Sequence, residues 1–318
     1  MQHQSVTVEQ FFKEQADALQ IRLLTSERGL KRIIREATVN RPGLVLSGFT
    51  QYFAYKRVQV FGNAEVYYLR SLKSAERARR YSHFFTFRIP CIVFSRGFRP
   101  DQEFMAAAEK AGVPVFQCQM VTMKFINAAT LALDTMFAPR GSEMGSMVDI
   151  LGVGVLIRGE SGIGKSEAVL ALIERGYSLV SDDVTKVMLQ DGHDVIGSCA
   201  ELTRDHMEIR GIGIINVAAM FGVRSIRNRK RVDLVVTLKA WDDVADVDRV
   251  GIEQEFEKIL GADIPHVVIP VRPGRDLARL IEVAAFQTKL KKSGHNAAQE
   301  LNDRLIAHMS QGNPPPVK

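Results

Sequence analysis

Cysteine is scarce: the 318 residues hold three, Cys91, Cys118 and Cys199, far apart in the chain. That spacing builds neither a disulfide framework nor a CxxC metal site, and buried thiols are the reading that remains. Long apolar runs are missing too, none approaching the ~18 residues of a membrane-spanning helix. The opening stretch MQHQSVTVEQFFKEQ lacks the basic start and apolar core of a secretory signal. A cytoplasmic protein with no membrane partner is expected. No aromatic-interleaved basic motif of the RNA-binding kind occurs either. The charge is nevertheless lopsided, with 20 Lys+Arg against 11 Asp+Glu in residues 1–140 (+9) and 22 against 25 in the remainder (−3). Within residues 1–140 only Arg77, Arg79 and Arg80 form a tight group, so a solvated helix face is expected and nucleic acid is not. An acidic protein or an anionic metabolite stays open as a partner for the basic half.

What is present is ordinary globular material. Apolar residues at 46% and charged residues at 25% suffice for a packed core, and at roughly 100–200 residues per domain the length suggests two. Val8, Phe11, Phe12 and Leu19 sit near helical spacing, ahead of a Ser/Glu/Arg-rich loop. From RPGLVLSG through RVQVFGNAEVYYL, β-rich runs are broken by Gly48 and Gly62; IPCIVFS and VPVFQC repeat the pattern around the helical stretch DQEFMAAAEKAG. This predicts a small α/β domain over residues 1–133. NAATLALDTMFAPRGSEMGS begins as a helix and runs into Pro139, Gly141 and Gly145, which makes it the best linker candidate. A second α/β domain over 134–318 is predicted to follow. Its strands lie in VDILGVGVLIRG, YSLVSDDVT, DLVVTL and HVVIPV, its helices in SEAVLALIERG and DLARLIEVAAFQTKLK, and SQGNPPPVK is a frayed tail.

The chemistry concentrates in this second domain. Gly159, Glu160, Ser161, Gly162, Ile163, Gly164, Lys165 and Ser166 satisfy the P-loop pattern GxxxxGKS/T, between a strand and a helix. Glycines let successive N–H groups turn inward around phosphates, Lys165 places a cation on the β- and γ-oxygens, and Ser166 offers a hydroxyl to Mg²⁺. The helix that starts there adds its positive dipole end. Binding of a nucleoside triphosphate or a related phosphate compound is predicted. Asp182 and Asp183 end the next strand. Neighbours on a strand face opposite ways, so one is the candidate base for an acceptor hydroxyl and the other a structural or metal partner. Glu208 is a carboxylate within the otherwise apolar MEIRGIGIINVAAMFG, where Gly211 and Gly213 let a backbone pass close to a ligand. A metal or substrate role suits it. PVRPGRDLARLIEVAA carries a strand into a Pro/Gly turn bearing Arg272 and Arg275, suited to an anionic partner or to transferred charge. Arg249, in DVDRVG, offers the same.

Together GESGIGKSE, SDDV, MEIRGIGIINVAAMFG and IPVRPGRDLARLIEVAA, with RPGLVLSG and the RVQVFG run, resemble the HPr kinase/phosphorylase family over roughly residues 40–290. The resemblance implies a two-domain α/β subunit, usually a homohexamer, whose C-terminal domain is similar to the P-loop core of phosphoenolpyruvate carboxykinase. It implies Mg²⁺-dependent phosphorylation of a serine on the phosphocarrier protein HPr, from ATP or pyrophosphate, together with the reverse phosphorolysis. Carried over residue by residue, Lys165 contacts phosphate, Ser166 and Glu208 hold Mg²⁺, Asp183 accepts the serine proton with Asp182 beside it, and Arg249 is a catalytic arginine. Met207, Glu208, Ile209, Arg210, Gly211, Ile212, Gly213, Ile214, Ile215 and Asn216 match the signature used in both directions. Pro270, Val271, Arg272, Pro273, Gly274 and Arg275 match the loop associated with phosphorolysis.

One position departs. Fifteen residues before Gly159 the family usually has a His, in an HGVLVD-like string, where this chain reads MGSMVD and places Met144. Methionine neither donates nor accepts a proton. Kinase activity is therefore expected to survive while phosphorolysis or pH tuning is weakened or altered. Two other readings fit the P-loop by itself: a serine kinase acting on another protein, and a regulator that senses nucleotide without turnover. The joint presence of Lys165, Ser166, Asp183 and Glu208 speaks against the regulator, because sensing needs no base.

Overall fold

Residues 5–243 and 254–311 are described by a computed structural model. The chain divides into two units, Met1–Ala138 and Pro139–Lys318. In the first, β1 (Val6–Thr7) pairs with β3 (Ile33–Ile34) beside helix α1 (Val8–Gln15). The main sheet is built from β2 (Ile21–Leu23), β4 (Val39–Asn40), β5 (Val58–Phe61), β6 (Ile92–Phe94) and β7 (Val115–Cys118), in the order β2-β7-β6-β5-β4. Its strands β4 to β7 are parallel, and β2 joins the edge antiparallel. Side chains alternate across a strand, so Val58, Val60, Val93 and Phe116 bury against Phe11, Phe125 and Leu133 on one face. Phe61 and Phe94 bury against Phe84 and Phe104 on the other.

The helices of this unit are α2 (Gly43–Ser47), α3 (Asn63–Ser71), α4 (Ser74–Phe84), α5 (Gln102–Ala111) and α6 (Thr122–Phe137). Two of them correct the β-rich reading of RPGLVLSG and NAEVYYL. In the first string Val45 and Leu46 are buried side by side between exposed Leu44 and Ser47, a helical period and not an alternating one. In the second, Glu65 accepts the Gly62 N–H at 2.9 Å as the third residue of a capping box, and Val66 and Leu69 bury one face. The linker candidate also differs. Phe125, Ala129, Leu133 and Met136 form a continuous buried stripe along α6, so the helix persists to Phe137 and only Ala138 and Pro139 separate it from the next strand. Cys91 and Cys118 are buried, while Cys199 is only half-buried; burial pushes the first two thiols above their ordinary range.

The second unit stacks three layers. A six-stranded sheet holds β9 (Ser146–Ile150), β10 (Val153–Gly159), β11 (Ser178–Ser181), β17 (Leu234–Ala240), β18 (Glu255–Ile259) and β19 (Ala262–Val271), in the order β11-β9-β10-β17-β19-β18. A four-stranded antiparallel sheet holds β8 (Arg140–Met144), β12 (Val184–Gln190), β13 (Asp194–Ser198) and β16 (Arg229–Arg231). The two sheets enclose Met147, Leu156, Val187, Val195, Val235 and Ile264. Helices α7 (Lys165–Glu174) and α9 (Leu277–Lys292) cover the outer face of the larger sheet through Val169, Leu172, Ala278 and Ile281. A separate hairpin, β14 (His206–Ile209) and β15 (Gly213–Asn216), leads into the short α8 (Val217–Phe221), and α10 (Ala297–Gln311) closes the described chain. The tail from Gly312 onward lies outside the described residues.

Within the larger sheet β10, β17 and β19 are parallel neighbours, with Gly159 level with Leu238 and Ala240 level with Val271. Their C-terminal ends therefore release three consecutive loops at one edge. Ligand sites of open α/β sheets occupy this edge.

Candidate active site

Strand β10 is buried from Val153 to Ile157 and emerges at Arg158 and Gly159. The loop then turns at Gly162 and Gly164 (φ 87° and 100°) into α7. Gly164 stands in the left-handed region at the helix cap, a conformation that a side chain resists. Glycine there lets Lys165 and Ser166 open the helix with their N–H groups free to meet an anion. The Lys165 amine donates to the carbonyls of Gly159 at 2.8 Å and Glu160 at 2.7 Å. The Arg210 guanidinium donates to the Ser161 hydroxyl, which brings the turn of the β14–β15 hairpin onto the phosphate loop.

The aspartate pair separates at a corner. Strand β11 ends at Ser181, and beyond it the chain leaves the six-stranded sheet and enters β12 of the four-stranded one. Asp182 is half-buried: its carboxylate accepts the Ser146 hydroxyl at 2.8 Å and the Glu208 N–H at 3.1 Å. Burial lifts its carboxyl above the ordinary value of 3.8, against both hydrogen bonds. Asp183 is exposed and has φ 56°, a left-handed conformation that Asp tolerates better than most residues. Its carbonyl accepts the Gly145 N–H at 2.7 Å. Across the β8–β12 ladder Met144 stands opposite Val184 and is 73% exposed, beside Asp183. The strand has ended, so strand alternation does not govern the pair; hydrogen bonding makes Asp182 the structural member and leaves the Asp183 carboxylate to solvent.

In the hairpin Met207 and Ile209 point into the core while Glu208 and Arg210 face out, and a three-residue turn of Arg210, Gly211 and Ile212 connects Ile209 to its partner Gly213. Ile214 pairs with Glu208, Ile212 and Ile214 are exposed, and Ile215 is half-buried. Asn216 caps α8 by accepting the Ala219 N–H at 2.8 Å. At the end of β19, Pro270 and Val271 lead into exposed Arg272, Pro273, Gly274 and Arg275. The Arg275 guanidinium donates to the Pro270 carbonyl at 3.0 Å. Arg272 lies 3.3 Å and Arg275 5.6 Å from the centre of the Trp241 ring, a cation–π arrangement. The pairing of Ala240 with Val271 explains it, because Trp241 leaves β17 beside the arginine turn. Arg249 lies outside the described residues.

These placements join the phosphate loop, the aspartate corner and the hairpin in one chain of contacts: Ser161 to Arg210, and Glu208 to Asp182. Sequence reasoning missed Ser146, which fixes Asp182, and Trp241, which supports Arg272. The first is an unremarked serine in a strand, and no local pattern marks it. The second, the single tryptophan of the chain, follows directly on a strand end and was open to notice. Among the described residues no three His, Cys, Asp or Glu side chains cluster as a metal cage.

Comparison with known proteins gives the chain its family. The family models "HPr Serine kinase N terminus" and "HPr Serine kinase C-terminal domain" match residues 6–133 and 135–305. An "HPr kinase/phosphorylase" of Leptospira biflexa is 41% identical over 308 residues, covering 96% of this chain and 95% of that protein. One of Listeria monocytogenes is 42% identical over 313 residues, 97% and 99% of the two chains. The solved Hpr(Ser) kinase/phosphatase of Coxiella burnetii is 35% identical, covering 51% of this chain and 98% of that one, with a TM-score of 0.47. The chain, matched by both family models and by relatives along nearly its whole length, belongs to the HPr serine kinase family and is a kinase.

Proposed function

We propose that the enzyme transfers the γ-phosphoryl group of ATP, or a phosphoryl group of pyrophosphate, to a serine of HPr, and that it also runs the reverse phosphorolysis. The observation that carries this reading is an exposed carboxylate, Asp183, on a corner joined through Asp182 and Glu208 to the phosphate loop. Sensing alone needs no such group. Backbone N–H groups from Gly159 to Ser166 surround the phosphates. Lys165 exchanges its two carbonyl partners for phosphate oxygens. Asp183 accepts the proton of the serine hydroxyl as that oxygen bonds to the γ-phosphorus and the bond to the β–γ bridging oxygen breaks, releasing ADP. Asp182, tied down on both oxygens, keeps the corner in place.

The donor set fits Mg²⁺. Ser166 and Glu208 present hard oxygens, and this ion is usually held by one or two carboxylates with phosphate and water supplying the rest; a three-carboxylate cage is not needed. When bound, it neutralises charge on the transferring phosphate. Arg272 and Arg275, held at Trp241, suit the inorganic phosphate of the reverse reaction, in which phosphoserine yields serine and pyrophosphate. Arg249 is assigned to transferred charge on the family resemblance. We read the enzyme as cytoplasmic and homohexameric; exposed Leu301, Leu305 and Met309 along α10 support self-association.

The test is γ-labelled ATP with Mg²⁺ and purified HPr. Asp183→Asn should lower serine phosphorylation by about 10²–10⁴-fold, the usual contribution of a general base, with nucleotide binding retained. Label that enters HPr lacking its acceptor serine, or that is indifferent to Asp183→Asn, would sink the assignment.

A further inference from the structure

Arg158 directly precedes the phosphate loop and belongs to none of its motifs. Its side chain is 21% exposed. One guanidinium nitrogen pairs with Glu143 of β8, and another with Glu257 of β18 at 2.9 Å. Glu143 belongs to the four-stranded sheet and stands two residues before Gly145, the residue that donates to the Asp183 carbonyl. A Cβ on Gly145 would fall 2.5 Å from the Ile157 carbonyl oxygen and 3.2 Å from the Arg158 Cγ. The backbone of the aspartate corner thus rests directly on the last residues of the phosphate-loop strand, and the arginine clasps the strand that leads into that corner.

We propose that Arg158 is a positioning residue, whose pairing with Glu143 fixes the Asp183 corner relative to the phosphate loop. Asp183 stands where the chain passes from the six-stranded sheet, which also carries the loop, into the four-stranded one, and the side chains that connect β8 of the second sheet to β10 of the first help set its separation from the loop. An arginine suits this task, because its planar fork reaches two carboxylates in fixed directions where a lysine offers one point charge. Arg158 and Glu143 are 21% and 26% exposed, so water still reaches the pair and screens it. Their contribution is geometric: a misplacement of about 1 Å at a reacting group can cost on the order of 100-fold in rate. Glu257 steadies the other side of the guanidinium and has no connection to the corner.

The inference rests on the reading of Asp183 as the base. Its test measures serine phosphorylation of HPr over a range of ATP concentrations for the full chain and three variants. Glu143→Gln and Arg158→Met should each lower kcat about 10- to 100-fold while KM for ATP stays within about twofold. Glu257→Gln should stay within about twofold in both. If Arg158→Met does not fold, Glu143→Gln decides, since it leaves the arginine and its Glu257 partner in place. An unchanged kcat in Glu143→Gln overturns the positioning role, and so does an equal loss in Glu257→Gln, which would mean a general field effect. A wild-type enzyme inactive on HPr defeats the functional reading and this inference with it; an active one with a normal Glu143→Gln variant defeats this inference alone.

Discussion

At the scale of single residues the site is defined by what each side chain is left free to do. Asp182 and Asp183 are chemically alike, yet two hydrogen bonds and burial bind the first to the fold, and a left-handed turn offers the second to solvent. Met144 stands opposite Val184, the residue after Asp183, and is 73% exposed; the family resemblance implies a histidine at this place. A side chain that holds no proton cannot relay one between Asp183 and an attacking phosphate. Met144→His is accordingly expected to raise phosphorolysis about tenfold or more, within the range of a recovered acid–base group, while changing the kinase rate little. Incubating serine-phosphorylated HPr with inorganic phosphate and following pyrophosphate checks it. Release from the unaltered enzyme as brisk as from the histidine variant would refute the expectation.

At the scale of elements the decisive object is the corner where β8 passes to β9 and β11 to β12. Thr185 donates to the Gly145 carbonyl at 2.8 Å, and Gly145 donates to Asp183. Gly145 has φ 146° and no room for a Cβ. Gly145→Ala should cost about 1–3 kcal/mol from backbone strain, and more from the clash. Gly152→Ala, at φ 90° with open space around it, pays only the strain and serves as the comparison in urea unfolding. A smaller loss at 145 than at 152 would contradict the close approach. How much of this was legible in the sequence follows from the same physics. VLIRGESGIGKSEAVLALIERG announced its strand, loop and helix, because glycine spacing and apolar period are local signals. RPGLVLSG and NAEVYYL misled, because β-rich composition yields to a single turn that buries adjacent apolar residues. The division of labour between Asp182 and Asp183 was illegible, since it depends on partners 36 and 26 residues away.

Across the whole molecule every residue placed in the site belongs to the second unit, whose layers are fastened by buried charge. Asp233, 4% exposed, accepts the Gly154 N–H at 2.9 Å, the Arg231 guanidinium at 2.9 Å and the Lys292 amine at 2.5 Å, so it ties α9 to the sheet. Burial pushes its carboxyl up, but Lys292, the Gly154 N–H and Arg231 outweigh that, and it falls below the ordinary 3.8. A lowered carboxyl contributes stability that is complete above the unfolded value and disappears as pH drops through the folded one. Thermal stability should therefore decline below about pH 4, and Asp233→Asn should flatten that decline. The variant should lose about 2 kcal/mol at neutral pH, less than a fully buried pair because Lys292 and Arg231 are half exposed. Parallel acid titrations of the melting temperature test both; curves of equal slope would argue against it.

The left-handed backbone at Asp183 has an evolutionary consequence. Glycine, asparagine, aspartate and histidine are the residues that enter this conformation most readily, so the alphabet favoured at position 183 is short, and only one of its letters is a carboxylate. Aspartate and asparagine codons differ by one nucleotide. A descendant that folds, keeps its phosphate loop and has lost transfer is a single mutation away, and the same corner that holds the base in place would preserve such a pseudoenzyme intact.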